Sequence, residues 1–177
     1  TGRMSALDRR SGTTVARITA LTLKIDVPGF GRLRIGHLVL DFNGTLAMDG
    51  RLLPGVRSRL RRLARLMTIH VLTADTFGSA RRELADAPCA LVILGARGQD
   101  AAKARYVRAL GKTGVVCVGN GRNDRAMLRA ARLGIAVIQG ECASTQALGA
   151  ADVVARSVID ALDLLLEPRR LVATLRA

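Results

Sequence analysis

Residues 38–50, LVLDFNGTLAMDG, contain the feature that decides the fold. An apolar run ends at Asp41, and a short loop with Asn43, Gly44 and Thr45 follows at once. A continuous apolar run predicts a buried strand, and asparagine and glycine are typical of a tight turn. The stretch therefore predicts a strand that carries a single carboxylate to the edge of a sheet.

Strand-like apolar runs alternate with helical patterns along the rest of the chain. Helices are expected at about 56–66, 77–86, 100–110, 124–132 and 157–166, and Pro168 opens a final helical turn. Such alternation predicts right-handed βαβ units with helices on both faces of a parallel sheet. The expected fold class is α/β, a Rossmann-like three-layer sandwich with a mainly parallel sheet.

The amino-terminal part of the chain departs from this alternation. Two extended runs surround the turn PGFG at 28–31, which predicts a β-hairpin whose second arm continues into, or adjoins, the strand ending at Asp41. Residues 1–14 are polar and aperiodic, so we expect a disordered leader there. A chain of 177 residues has room for one domain of ordinary size, which we place at 15–177.

Charge and composition narrow the range of partners. The formal net charge of +14 attracts anions, whether phosphate esters, nucleic acids or acidic membrane surfaces. The arginines of 57–66 nevertheless surround an apolar stripe, as on a solvated helix face. Aromatic residues make up only 2% of the chain, which argues against base stacking and a nucleic-acid partner. No apolar run is long enough to span a membrane, and the widely spaced Cys89, Cys117 and Cys142 fit a cytoplasmic location.

Polar loops follow three of the predicted strands, at 41–45, 73–75 and 119–124. Ligands of open α/β sheets bind outside the carboxyl ends of the strands, where the strand order reverses. Each loop alone is ordinary turn or capping chemistry. Their conjunction at one sheet edge favours a functional site.

These loops, together with Lys103, resemble the four motifs of the haloacid dehalogenase (HAD) superfamily of phosphohydrolases. DFNGTL, LTAD, Lys103 in KARYVRALG, and VGNGRND occur in the order and approximate spacing of those motifs. The pattern is most similar to the phosphorylation domain of P-type ATPases and to their small soluble relatives. The resemblance covers residues from about 33 to 176.

The resemblance implies a phosphohydrolase that works through a phospho-aspartate on Asp41. The implied catalytic residues are Asp41, Asn43, Thr73 and Lys103. The implied phosphate contacts are Gly44, Thr45, Thr73, Ala74, Lys103 and Asn123. The implied cofactor is Mg²⁺, held by the Asp41 carboxylate, the Asn43 backbone carbonyl, the Asn120 side chain and Asp124, the last directly or through water.

Two residues depart from the pattern of the family. Asn43 stands where typical phosphatases have an aspartate that serves as general acid and base, and an amide cannot shuttle that proton. We therefore expect slow turnover that favours activated leaving groups. Asn120 stands where the family has an aspartate ligand, so one negative charge is lost and metal affinity should be weaker.

Other polar residues near the predicted sheet carry weaker signals. Asp75 can cap the following helix, take part in the second motif, or do both. His37 and His70 are interpreted as core or surface groups. Glu141 and Cys142 are weak candidates for the site, because only their position after a predicted strand supports them. The gaps between motifs are too short for a cap domain, so an open site is expected.

Three functions from different classes remain in competition. The leading hypothesis is a Mg²⁺-dependent phosphatase or soluble ATPase that acts on a phosphorylated small molecule, a nucleotide or a phosphoprotein. The alternative is a catalytically weak binding or regulatory protein that engages an anionic partner, which Asn43 and Asn120 would favour. Nucleic-acid binding draws only on the net charge. An oligomer in which a neighbouring copy covers the site is compatible with each.

Overall fold

The computed structural model describes residues 21–75 and 78–177, which form ten strands, seven α-helices and two short 3-10 helices. The strands are β1 Leu23–Val27, β2 Gly31–Ile35, β3 His37–Asp41, β4 Ala47–Met48, β5 Arg51–Leu52, β6 Thr68–Thr73, β7 Ala90–Ile93, β8 Val115–Gly119, β9 Leu133–Val137 and β10 Val153–Ala155. The helices are α1 Val56–Leu63, α2 Ser79–Glu83, α3 Gln99–Ala109, α4 Arg125–Ala130, α5 Thr145–Leu148, α6 Val158–Leu166 and α7 Pro168–Leu175. The predicted leader at 1–14 lies outside these described residues.

Six parallel strands form the central sheet in the order β10-β9-β8-β3-β6-β7. From β3 the chain moves outward through β6 and β7 and then returns to β8 on the other side of β3. The strand order therefore reverses at β3, and Asp41 is the last residue of that strand. The predicted α/β, Rossmann-like fold class is confirmed.

Alternating side chains of β3 enter two separate cores. Leu38 and Leu40 belong to the larger core, which also contains buried residues of α1, α6, α7 and the β1–β2 hairpin. Val39 belongs to the smaller core, with buried residues of α3, α4 and α5. Because the side chains of a strand alternate between faces, Asp41 is directed toward the α3 side with Val39.

The amino-terminal hairpin is a two-stranded antiparallel sheet of its own. Strands β1 and β2 pair from Leu23 with Ile35 to Val27 with Gly31. Gly36 separates β2 from β3, so the second arm adjoins the Asp41 strand and does not continue into it. The hairpin buries four apolar side chains in the larger core, those of Ile25, Val27, Leu33 and Ile35.

Several boundaries differ from the prediction for local reasons. The helix expected at 56–66 ends at Leu63, because a turn in which the Leu66 N–H donates to the Leu63 carbonyl (2.8 Å) leads into β6. The helix expected at 77–86 is described only over Ser79–Glu83. The final turn after Pro168 extends to the eight-residue α7.

Two short elements were absent from the sequence prediction. The β4–β5 hairpin has arms of two residues, and α5 has four residues capped by the Ser144 hydroxyl. Such elements are too short to show periodicity. Only the β4–β5 hairpin lies between β3 and α1, which agrees with the expected absence of a cap. Within the described ranges, no helix is long and apolar enough to cross a membrane.

Candidate active site

An open cavity of about 850 Å³ lies at the carboxyl ends of β3, β6 and β8. The sequence-predicted residues that line it are Asp41, Asn43, Thr73, Ala74, Asn120 and Asn123. Lys103 and Asp124 are fully buried beside them. The topology thus brings all four motif segments to one place, although each comes from a different part of the chain.

Lys103 joins two carboxylates beneath the cavity. Its Nζ donates to Asp41 Oδ1 at 2.5 Å and to Asp124 Oδ1 at 2.7 Å. Lys103 is completely shielded from solvent although α3 is a surface-layer helix. An ammonium group tolerates such burial only when it is paired and hydrogen-bonded, and these two carboxylates provide that pairing.

The electrostatic environment of Asp41 is finely balanced. Burial raises the pKa of Asp41, the nearby Asp124 charge raises it further, and Lys103 lowers it, with a resulting pKa of about 7. Burial lowers the pKa of Lys103, but the charges of Asp41 and Asp124 outweigh that effect and raise it overall. Lys103 therefore stays protonated near neutral pH, while the Asp41 carboxyl gains or loses its proton in that range.

Asp124 is placed to organise the loop after β8. Its Oδ2 accepts hydrogen bonds from the N–H groups of Asn120 (3.0 Å) and Gly121 (2.8 Å). Its carboxylate lies so close to Gly119 that a Cβ on that glycine would be 2.6 Å from Asp124 Cγ. Asp124 has no exposed surface and does not line the cavity. Asp124 thus holds Lys103 and the loop, and the metal contact expected for it, directly or through water, stays a prediction.

The phosphate contacts expected for Gly44 and Thr45 stay a prediction, and the N–H groups of both residues are hydrogen-bonded within their own loop. The Gly44 N–H donates to the Ala47 carbonyl (2.8 Å), and the Thr45 N–H donates to the Phe42 carbonyl (3.3 Å). The Thr45 hydroxyl donates to Asn120 Oδ1 (3.2 Å), and neither residue lines the cavity. Their polar groups close the loop after β3 and leave the cavity to Asn43.

Asn120 is fixed between two neighbouring loops. Its Oδ1 accepts from Thr45, and its Nδ2 donates to the Cys142 carbonyl at 2.9 Å. The Asn120 carbonyl accepts from the Ser144 N–H, also at 2.9 Å. Because an amide oxygen has a second lone pair, Oδ1 retains one acceptor position.

The loop after β6 shows the capping role considered for Asp75, and the part of Asp75 in the second motif stays a prediction. Asp75 Oδ1 and Oδ2 accept from the N–H groups of Ala80 (2.8 Å) and Arg81 (3.3 Å), so this carboxylate caps the start of α2. The Asp75 N–H donates to the Thr73 hydroxyl oxygen at 3.2 Å, and both residues line the cavity. The cap fixes the Thr73 hydroxyl at the cavity wall.

The cavity also includes residues that carry little or no functional signal in the sequence. Gln99 accepts a hydrogen bond from Asn123 Nδ2 (3.1 Å), and Ser79 and Arg82 come from α2. Glu141 lies on the β9 side of the cavity. Only the topology reveals these neighbours, since none of them belongs to a motif.

The donor groups at the cavity fit a hard divalent cation. Asp41, Asn43 and Asn120 offer carboxylate, carbonyl and amide oxygens, and Mg²⁺ prefers oxygen ligands. Among the described residues, no cluster of three or more histidine, cysteine or acidic side chains could hold a metal by itself. A divalent cation held there would be bound through single oxygens from separate loops and would keep several of its waters.

Solved structures of phosphatases share this fold. The deoxy-D-mannose-octulosonate 8-phosphate phosphatase of Haemophilus influenzae, in a cobalt-bound form, has a TM-score of 0.63 and 18% identity, covering 77% of this chain and 90% of its own. The 3-deoxy-D-manno-octulosonate 8-phosphate phosphatase of Moraxella catarrhalis, in complex with magnesium, phosphate and KDO, has a TM-score of 0.61 and 16% identity, covering 80% and 94%. The chain thus has the fold of the HAD superfamily hydrolases, as predicted.

Sequence comparison gives relatives of a different kind. No protein-family model matches the chain. An uncharacterised protein of Methanocaldococcus jannaschii is 45% identical over 62 residues, 35% of this chain and 67% of the relative. A second uncharacterised protein of that organism is 46% identical over 39 residues, 22% of this chain and 89% of the relative. The chain belongs to the same family as these two archaeal proteins.

Proposed function

We propose that the protein is a divalent-metal-dependent phosphohydrolase that works through a phospho-aspartate on Asp41. The observation that carries this proposal is the buried Lys103, which pairs with Asp41 at the bottom of an open, polar cavity. A buried carboxylate with a pKa near 7 at the switch point of an α/β sheet is a typical nucleophile or base.

The chemistry divides one displacement into two steps. An oxygen of ionised Asp41 attacks phosphorus, and the bond to the leaving oxygen breaks with its electron pair. Water then attacks the phosphorus of the acyl phosphate, which releases phosphate and restores the carboxylate. Lys103 orients Asp41 and offsets the charge that collects on the phosphoryl oxygens. The Thr73 hydroxyl, fixed at the cavity wall, donates to one of those oxygens.

A divalent cation would supply charge neutralisation when Asp41 and the phosphate, both anions, meet. Asp41, the Asn43 carbonyl and the Asn120 amide oxygen would hold it. We propose Mg²⁺, which agrees with the magnesium of the Moraxella phosphatase and with the oxygen donors present. The neighbouring phosphatases are named for a sugar-acid phosphate, and an open cavity of this size favours a phosphorylated small molecule.

Slow turnover follows from Asn43. This residue lines the cavity where the leaving group departs, and its amide cannot donate a proton to that group or take one from water. The substitution Asn43→Asp should raise phosphate release from an unactivated alkyl phosphate by about 10² or more. Asn43→Ser, which also lacks a titratable proton, is the matched control and should give no such gain. An equal effect of both variants would refute this role.

The test of the function is Mg²⁺-dependent phosphate release from acetyl phosphate, an aryl phosphate and ATP. We expect turnover of the first two that disappears on chelation and in Asp41→Asn. The competing function, a binding protein for an anionic ligand, is favoured by the amides at positions 43 and 120. Absence of turnover at saturating Mg²⁺, with retained affinity for inorganic phosphate, would select that alternative.

A further inference from the structure

The ligands proposed for the cation, Asp41, Asn43 and Asn120, include only one carboxylate among them. Asp41, Lys103 and Asp124 form a triad with one net negative charge when both carboxylates are ionised. Asp124 is fully buried and does not reach the cavity, and Asn120 brings a neutral amide. Since ligand charge largely sets affinity for hard cations, this donor set alone would bind Mg²⁺ weakly.

Glu141 is a carboxylate on the same side of the cavity as Asn120. A methyl group built on Gly44 would lie 2.8 Å from Glu141 Oε2 and also 2.8 Å from Asn120 Oδ1. The two oxygens are therefore no more than twice that distance apart. This spacing is compatible with one hydrated cation that contacts Asn120 directly and Glu141 through a bound water.

The loop that carries Glu141 is held firmly against the motif loops. Gln139 Nε2 donates to the carbonyls of Gly44 (2.9 Å) and Thr45 (2.7 Å), and its Oε1 accepts from the Val158 N–H at 2.8 Å. On the other side of Glu141, the Cys142 carbonyl accepts from Asn120 Nδ2. The backbone on both sides of Glu141 is thus tied to the loops that follow β3 and β8.

The Glu141 carboxylate is available for a ligand. Within residues 21–75 and 78–177 it forms no hydrogen bond or ion pair with another side chain or backbone group. Asp75, which also lines the cavity, differs because both of its oxygens cap α2. Asp41 at the end of β3 and Glu141 after β9 are therefore carboxylates that can face a cation beside Asn120.

We propose that Glu141 supplies the negative charge that Asn120 does not, and that it holds the divalent cation through a coordinated water. This inference rests on the proposed function, because it concerns the cation of that site. Glu141 acts as a positioning residue for the hydrated metal, and from the loop after β9 it compensates for the charge that Asn120 lacks in the loop after β8.

The test is calorimetric titration of the full chain with Mg²⁺ in the absence of substrate. Glu141→Gln should weaken binding about 10–100-fold, as loss of an outer-sphere ligand typically does. Asn120→Asp in the Glu141→Gln background should restore most of the affinity, because it returns the missing charge to the loop after β8. The matched control is Asp49→Asn, which removes a carboxylate from the α2 side of the same cavity.

The outcomes separate the two proposals. If the wild-type chain binds Mg²⁺ and Glu141→Gln binds it within about twofold, the inference is wrong while the proposed function stands. A loss in Asp49→Asn as large as that in Glu141→Gln would also overturn it, since only the general field would then matter. If the wild-type chain binds no divalent cation at millimolar concentration, the metal-dependent function fails and the inference fails with it. Thermal unfolding of each variant verifies that it is folded.

Discussion

Two polar clusters link β3 to α3, and they differ in charge. At the carboxyl edge of the sheet, Lys103 pairs with Asp41 and Asp124. Toward the amino edge, His70 forms hydrogen bonds with His37 (3.1 Å) and with the Tyr106 hydroxyl (3.0 Å). His37 and Asp41 are the two ends of the same strand, and Lys103 and Tyr106 lie one helical turn apart.

The difference shows where this fold can hold charge. Burial lowers the pKa of His70, and the neighbouring His37 lowers it further, so the amino-edge cluster disfavours the charged form of this ring. The carboxyl-edge cluster holds charge because Lys103 stays protonated between two carboxylates. Charges that would be too costly elsewhere are thus retained where the cavity opens, which is what a nucleophilic site requires.

The largest effect on stability is expected from Lys103→Met, which removes the ammonium group between the two carboxylates. Asp41 and Asp124 would then lie close together without a counter-charge, and loss of one partner of a buried ion pair typically costs ~3–5 kcal/mol. We expect a loss of that size in the free energy of unfolding from urea denaturation at pH 8. The loss should shrink at pH 5, where one carboxyl is protonated. A loss that does not depend on pH would mean that packing, and not charge, is responsible.

The second prediction concerns Asp41→Asn and the pH dependence of stability. The pKa of Asp41 rises from its ordinary value of 3.8 to about 7 on folding, so the folded state keeps a proton that the unfolded chain has lost. The stability from this proton is present below pH 3.8 and is lost as pH rises through about 7. Asp41→Asn removes this effect, so it should be more stable than wild type at pH 8 by an amount on the order of 3 kcal/mol.

Urea denaturation of both proteins at pH 5 and pH 8 in the presence of a chelator measures that difference. Asp49→Asn is a control on the cavity wall and should follow the wild-type pH profile. Parallel profiles for wild type and Asp41→Asn would contradict a raised pKa for Asp41.

A smaller effect is expected at the amino-edge cluster from Tyr106→Phe. The substitution removes the hydroxyl that pairs with His70 Nδ1 and keeps the ring, so it should cost about 1 kcal/mol, as loss of one neutral hydrogen bond does. The measurement is the urea midpoint at pH 8, and phosphate release should be unchanged. A loss of activity without loss of stability would mean that the two clusters are coupled through α3.

The smallest expected effect is the contribution of His70 to the pH dependence of stability at acid pH. The lowered pKa of His70 means that the unfolded chain, with a pKa near 6.5, takes up a proton before the folded chain does. Stability from the neutral ring is therefore present above pH 6.5 and is lost as pH falls through the folded-state value. Asp41→Asn is the suitable background, because the Asp41 effect has the opposite sign. Adding His70→Gln should flatten the remaining acid slope, and an unchanged slope would assign it to another group.

Much of the fold could be predicted from the sequence because its elements are periodic. Continuous apolar runs and the stripe of α1 are local features, and they predict the parallel sheet with its helices. The β4–β5 hairpin and α5 could not be found this way, since arms of two residues and a helix of one turn have no period. Their positions depend on packing against the loops around them.

The candidate site could be predicted only where a motif marks it. Asp41, Thr73 and Asn120 lie at the ends of apolar runs. Because ligands of open α/β sheets bind at the carboxyl ends of the strands, these three residues could be assigned to one site. That the Asp124 carboxylate lies beneath the cavity could not be predicted, because its orientation depends on the hydrogen bonds from Asn120 and Gly121. The position of Glu141 beside Asn120 could not be predicted either, because it depends on how the loops after β8 and β9 pack together.

Acid-quench trapping of the phosphoenzyme tests directly whether Asp41 is the nucleophile. Wild-type protein would be mixed with acetyl phosphate and Mg²⁺, quenched in acid, and examined by intact mass and peptide mapping. We expect a gain of one phosphoryl group on Asp41, with the acid stability and base lability of an acyl phosphate. We expect no gain in Asp41→Asn or after chelation. Phosphate release without any label on Asp41, or a label that persists in Asp41→Asn, would contradict this role of Asp41.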